Sequence, residues 1–440
     1  MEEKGARRQV FKNDLQGMLL PVLIISIIGS FNIFSATYVD SITNDAGLLG
    51  YFPKHLLFLG LSVFVGGLLY RFDYRKLQKR HILQRIMIAT LASLVLVLFV
   101  GSVVNGARRW IPLGAFSVQP SEFAKLAAII WTAAKIAEKP WKNPKSLLEP
   151  IRGATKGTVL NGCFMEHIKY MFTTLGWPIL FGVFILDQPD MGTAVLTAGF
   201  SYLLIFLAGF DKVFFSVSLV ILGIGGGVLA RIEPYRWDRV MTWIDPWAKA
   251  RDSGYQTVQG LLAVGSGGLL GQGFLNGTSK YFYLPEAHTD FAFAVWAQEM
   301  GLIGALIVLG LIATFTYFGF RIANNARDEF GKWLAIGITL LISGQAFFNI
   351  AMVCGMMPVT GVPLPFISYG GSSLLMNYMA VGILANIAHR NVEGVKIIGK
   401  KEPLPSLREE TQSRFKPEVP VETKMPGPFV PPPSKRVTPS

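Results

Sequence analysis

Apolar runs long enough to cross a bilayer alternate with short polar connections along most of the chain, and the alternation stops near residue 390. At about 20 residues per crossing, the pattern predicts membrane helices over 18–38, 56–70, 82–104, 121–137, 171–186, 192–209, 213–230, 291–320, 333–355 and 366–388. This describes an all-α polytopic membrane protein of about ten transmembrane helices. Its large extracytoplasmic loop, 231–289, lies between the seventh and eighth. The expected division is a cytoplasmic N-terminal segment 1–17, a transmembrane domain 18–390 and a disordered, proline-rich cytoplasmic tail 391–440 that ends near Pro431-Pro432-Pro433.

Connections between the runs have distinct characters. The loop 105–120 is short and carries Arg108, Arg109 and Trp110; 138–170 is basic and interrupted by Pro140, Pro144 and Pro150. The loop 231–289 is dense in glycine, which suggests close backbone turns packed on the bundle. The turn 356–365 must break helix, because it holds Pro358, Pro363 and Pro365.

Composition agrees with the pattern: of 440 residues, 51% are hydrophobic and only 16% charged. The net charge of +13 would suggest a nucleic-acid partner in a soluble protein, but here much of it is topogenic or in the tail, and no nucleic acid is expected. Arg71, Arg75, Lys76, Lys79 and Arg80 follow the second run, Lys4, Arg7, Arg8 and Lys12 precede the first, and Arg321, Arg327 and Lys332 follow the eighth. The positive-inside rule then puts both termini in the cytoplasm. Cys163 and Cys354 fall on different sides of the membrane and form no evident disulfide pair. The first run has no obvious small-residue cleavage site, so no cleavable signal is expected.

Four constellations carry candidate chemistry. Glu286, His288 and Asp290 alternate just before the eighth run. Asp290 stands where a polar segment meets membrane helix, wet enough to ionise and close enough to meet a lipid-borne substrate; the competing reading is that it caps the helix. Glu122 and Lys125 in Gln119-Pro-Ser-Glu-Phe-Ala-Lys125 share one helical face, either as a structural ion pair or as cavity-lining charges. Arg109, Arg236, Arg239 and Lys280 are cations on the outer side, suited to diphosphate oxygens, although Glu233 and Asp238 offer the arginines at 236 and 239 ordinary surface partners. Pro363-Leu-Pro-Phe-Ile-Ser-Tyr-Gly-Gly-Ser-Ser373, with Ser368 at its centre, breaks helix among small residues; close helix packing is the default reading there. Glu299, nine residues beyond Asp290, falls on the opposite helix face and reads as a buried structural acid, partnered or protonated. No Walker A run, His-Glu-x-x-His pair or Gly-x-Ser-x-Gly elbow occurs.

Tyr283-Leu-Pro-Glu-Ala-His-Thr-Asp-Phe291, Asn105-Gly-Ala-Arg-Arg-Trp-Ile111, the 119–125 and 363–373 segments, Gln188-Pro-Asp-Met-Gly-Thr193, Arg239-Val240 with Asp245-Pro-Trp247, and Ser253-Gly-Tyr-Gln256 together resemble the SEDS family (shape, elongation, division and sporulation) of FtsW and RodA, in order from about residue 15 to 390. The resemblance implies a ten-span peptidoglycan glycosyltransferase that polymerises lipid II at the outer face of the cytoplasmic membrane. It places the family's essential acid on Asp290, as general base or as holder of a divalent cation, Mg or Mn. It places the family's cavity-helix Glu and Lys on Glu122 and Lys125, and with Arg109, Arg239, Lys280, His288 and Ser368 these are the expected substrate contacts. Lys280 and the Asn105-Gly-Ala-Arg-Arg-Trp110 stretch look more like the division branch, FtsW, than the elongation branch, RodA, which implies work at the septum with an FtsI-like class B penicillin-binding transpeptidase and other division proteins. Ala292 and Gln298 depart from the pattern, where relatives commonly carry a bulkier aliphatic residue and a Glu, and 138–170 looks long. A lipid II flippase is the alternative function, and a scaffold for division proteins a third.

Overall fold

The structure is a computed structural model that describes residues 2–43, 51–104, 106–114, 116–141, 158–232, 234–281 and 283–398. By its contacts the chain divides into two units, Met1–Val395 and Lys396–Ser440. The tail expected to be disordered falls, beyond residue 398, outside the described residues.

The first unit is a helical membrane bundle. Its helices are α1 Glu2–Thr43, α2 Phe52–Arg71, α3 Arg80–Val100, α4 Pro120–Glu138, α5 Thr158–Asp187, α6 Met191–Leu207, α7 Lys212–Ile232, α8 Pro234–Ile244, α9 Tyr255–Ser266, α10 Ala292–Asn324, α11 Glu329–Val353 and α12 Gly371–Ile398. Among the described residues seven helices are long and apolar enough to cross a membrane: α1, α2, α3, α5, α10, α11 and α12. α6 and α7 carry shorter apolar stretches, and α4 is a further helix whose charges lower its hydropathy. These ten occupy the ten predicted positions, and α8 and α9 fall in the glycine-rich loop.

Helix ends differ from the hydropathy pattern where backbone chemistry intervenes. α3 stops at Val100, not at 104, because Ser102–Val104 leaves the helix as strand β1. With β2 (Ala107–Leu113) and β3 (Phe116–Val118) it forms a small antiparallel sheet in the order β1-β2-β3, in register Val103↔Arg108 and Pro112↔Ser117. This sheet is an addition to the all-α reading; two of its three strands have only three residues and give periodicity little to show. The last membrane helix starts at Gly371 and not at 366, since Phe366 holds φ +66° and Ser368 turns its hydroxyl back onto the Leu364 amide at 2.8 Å. At its other end α5 begins at Thr158, well before the predicted 171.

α4 is the centre of the bundle, packed against α3, α5, α6 and α11, and almost all of its residues are buried. Buried charge there must be paired, and it is: Lys125 Nζ lies 2.9 Å from Glu122 Oε1 and 2.7 Å from Gln345 Oε1 of α11. α1 lies along α10, where Asn32 donates to the Ala292 carbonyl at 2.9 Å.

α10 is broken at Gly301, which takes φ +64°. The break releases backbone groups that the glycine-rich loop satisfies: the Leu302 amide donates to Gly268 O at 2.9 Å, and the Gly273 amide to Glu299 O at 3.0 Å. Contact is backbone to backbone, since a Cβ on Gly271 would sit 2.1 Å from Glu299 O. Gln298, a departure from the family pattern, fixes the same junction by accepting from the Ser279 amide and hydroxyl and donating to Ser266 and Thr278.

Candidate active site

Five helices begin around one cavity of about 540 Å³: α2, α4, α6, α10 and α12 supply Lys54, Gln119, Met191, Asp290 and Ser372 to its wall. In the ten-span reading of the sequence these are the even-numbered spans, which would all start on the same side of a membrane. Free amides and the positive ends of helix dipoles therefore converge on the cavity, a setting that favours an anionic ligand.

Asp290 lies in this wall, directly before α10. It does not cap that helix: the N-cap is Phe291, and no side-chain capping hydrogen bond is made there. The backbone of Asp290 is instead fixed from α11, where buried Asn349 donates to Asp290 O at 2.7 Å and to Val362 O at 2.8 Å. One amide thus ties the acid to the 354–370 turn. Gly361 of that turn has φ +74°, and a methyl group there would lie 3.3 Å from Asp290 Oδ2, a tight contact that glycine avoids. Burial lifts the Asp290 carboxyl from 3.8 up to about 7; Glu286 and Asp190 push the same way, and Arg239 and Arg109 partly offset them.

The cations are held by backbone carbonyls. Arg109 shares one face of β2 with Ala107, and its guanidinium donates to Gln188 O at 3.0 Å and to Pro189 O. Arg239 of α8 donates to Val359 O at 2.8 Å. Both guanidiniums line the cavity, with Lys54 of α2 as a third cation in the wall. Glu286 is the second acid in the wall. Behind it Asp190 is buried, accepts from the Thr193 amide at 3.1 Å as the N-cap of α6, and has its carboxyl raised chiefly by burial.

Other residues singled out in the sequence lie elsewhere. Lys280 is fully buried in an ion pair 2.7 Å from Glu299 Oε1, shared with Ser35, and is absent from the cavity wall. In this structure its ammonium is turned to that buried pair rather than to the cavity, and Glu299 has the buried partner its helix face suggested. Ser368 spends its hydroxyl inside its own turn and is also outside the wall. His288 packs its ring among Tyr51 and Tyr369 and accepts from the Tyr369 amide through its carbonyl, which locks the acidic segment to the start of α12. Glu122 and Lys125 sit behind the wall, and Gln345 carries their influence forward by donating to Pro363 O at 2.9 Å. The side chain of Arg236 lies outside the described residues.

Lys54, Asp190 and Asn349 are the site residues that sequence reasoning missed. Signals existed: Asp190 precedes an apolar run as Asp290 does, Lys54 is a basic residue just before the second apolar run, and Asn349 is an amide within the ninth. Among the described residues no group of three or more His, Cys, Asp or Glu comes together as a metal set. Asp290 and Glu286 are the two carboxylates in the wall that would face a cation there.

These features define a polytopic helical membrane protein with an acid-and-arginine cavity at one set of helix ends. The chain belongs to the cell cycle protein family of FtsW, RodA and SpoVE, whose family pattern matches residues 16–393. It is 37% identical over 376 residues to stage V sporulation protein E of Bacillus subtilis, covering 85% of this chain and 96% of that one. It is also 37% identical to the probable peptidoglycan glycosyltransferase FtsW of Coxiella burnetii, over 84% of this chain and 95% of that one. Among solved structures, one described as showing coordination of polymerization and crosslinking by a peptidoglycan synthase complex superposes with a TM-score of 0.66 at 25% identity, covering 86% of this chain and 98% of its counterpart. The rod shape determining protein RodA of Thermus thermophilus shares the fold, with a TM-score of 0.57 at 24% identity over 85% of this chain and 96% of that one.

Proposed function

We propose that the chain, an enzyme of the peptidoglycan glycosyltransferase class like the relatives it matches, polymerises lipid II at the outer face of the cytoplasmic membrane during septal wall synthesis. Both termini are cytoplasmic in this reading, so the cavity opens on the outer side.

The reaction joins two lipid-linked sugars. Asp290 takes the proton of the attacking 4-hydroxyl, the new bond forms from that oxygen to C1 of the growing chain, and the C1–oxygen bond to undecaprenyl diphosphate breaks with its electron pair leaving on the diphosphate. Arg109 and Arg239 neutralise that departing charge, which develops most in the transition state. The observation that carries the reading is Asp290 itself: an uncapped carboxyl in the wall of a cavity ringed by cations, with its affinity for a proton raised toward neutrality, as a general base requires. Incubating purified protein with lipid II should give glycan strands on a gel, and none from Asp290→Asn. A flippase needs no base, so near-normal lipid II turnover in that variant would favour transport over polymerisation.

The partner in this reading is a single-span class B transpeptidase, because the chain shows no Ser-x-x-Lys acylation site in its outer loops. Adding the cognate transpeptidase should raise strand synthesis and copurify with the chain; full activity with no partner effect would count against it.

A further inference from the structure

Two apolar recesses meet the polar cavity at different points of its wall. The first is a cleft of about 550 Å³ formed by the start of α6, α11 and the 354–370 turn, lined by Val195, Leu196, Phe348 and Val362. It shares Pro189, Met191, Arg239, Val359 and Thr360 with the polar cavity. The second is an open trough on α2, lined by Leu57, Leu61 and Phe64, which shares Phe58 and Phe116 with it. Each recess is walled by membrane helices, so each is suited to a hydrocarbon chain whose polar head reaches the cavity. A reaction between two lipid-linked sugars has two tails to place.

The cations are not distributed evenly between the two mouths. Arg239 lines the cleft itself, and Arg109 bonds to Pro189, which belongs to both cavities. Lys54 of α2 lies in the wall beside Phe58, at the trough. The two lipids differ in what happens to their diphosphates: the donor's gains charge as its bond to C1 breaks, and the acceptor's does not change. Paired, carbonyl-fixed guanidiniums belong where charge develops. We infer that the α6–α11 cleft holds the polyprenyl tail of the donor, whose diphosphate lies between Arg109 and Arg239, and that the α2 trough holds the tail of the acceptor. This assignment rests on the polymerase reading and adds to it which lipid lies on which side.

Two lipid II analogues separate the substrates. One has hydrogen in place of the attacking 4-hydroxyl and can only donate; the other has a carbon in place of the oxygen between C1 and diphosphate and can only accept. With the full chain in membrane vesicles, filling the cleft by Val195→Trp should raise KM for the donor-only analogue roughly tenfold and leave KM for the acceptor-only analogue within about twofold. Leu61→Trp should do the reverse, so the unaffected KM of each variant reports that the site is folded. The opposite pattern, a joint rise in both constants, or no change in either would overturn the assignment. The wild-type chain supplies a check that needs no variant: a donor-only analogue with a photoreactive tail should label peptides of α6 or α11, and labelling of α2 would overturn the inference. Failure of the wild type to couple the two analogues would sink the polymerase reading itself, a result distinct from coupling with the two sides exchanged.

Discussion

At the scale of single residues, Asp290 has opposite effects on activity and stability. Its proton affinity is raised to about 7 in the folded chain against 3.8 ordinarily, so between these values the folded state holds a proton that the unfolded state has lost. Stability therefore falls as pH rises through this window, and above it the folded chain carries an ionised group in a site that disfavours it. Asp290→Asn should raise the thermal unfolding temperature at pH 8, with the gain shrinking at pH 5, while glycan synthesis drops about 10²- to 10⁴-fold. Wild-type kcat/KM should rise with pH through an apparent value near 7, since only the ionised carboxylate can accept a proton. A second residue-scale effect concerns Asn349. Replacing it by Leu strips a buried carbonyl, Val362 O, of its donor at about 1–3 kcal/mol, removes a part-buried bond to Asp290 O, and so unties Asp290 from the turn. Both melting temperature and strand synthesis should fall, measured on the same preparation.

Helices set the next scale. The pair Glu122–Lys125 holds α4 to α11 through Gln345 while Glu122 Oε2 has no hydrogen-bond partner among the described residues, so the carboxylate depends on its lysine. Lys125→Met should destabilise the bundle by about 3–5 kcal/mol, because it leaves a buried charge uncompensated. Adding Glu122→Gln should recover most of that loss; thermal unfolding of the two variants in detergent reads the difference. Gly301 marks the other element-scale constraint. An alanine there would have to hold φ +64° with its methyl 2.3 Å from the Gly271 amide nitrogen, so Gly301→Ala should cost more than the ~1–2 kcal/mol of a left-handed residue alone and loosen the loop that leads to Asp290. Proteolysis within 267–289 is the corresponding measurement.

For the molecule as a whole, the even-numbered spans matter most. Reversing direction at every crossing makes each of them start on the same side, and their N-termini collect around one cavity with Asp290 and three cations in its wall. The sequence beyond residue 400 is proline-rich and weakly hydrophobic, and so offers little to bury. Truncation at Lys400 should leave glycan synthesis in detergent unchanged, and loss of synthesis from a folded truncated chain would contradict this division of labour.

Membrane class, the positions of the ten apolar helices and the candidacy of Asp290, Glu122 and Lys125 were all legible in the sequence. The reason is physical: a bilayer demands long apolar runs, and an ionisable group beside or within one is costly enough to stand out. The break at 356–365 was legible too, since proline cannot continue a helix. What the sequence left open was which polar groups face one another. Lys280 and Arg239 look alike as outer cations, yet one is paired with Glu299 inside the bundle and the other lines the cavity. Asp290 and Asp190 both precede apolar runs, yet only Asp190 caps its helix. Hydropathy reads each segment against solvent and lipid, one at a time. The pairings of Asn349 with Asp290, of Lys125 with Gln345 and of Arg109 with Pro189 join segments far apart in the chain, and they exist only because helix packing brings those segments within hydrogen-bond reach.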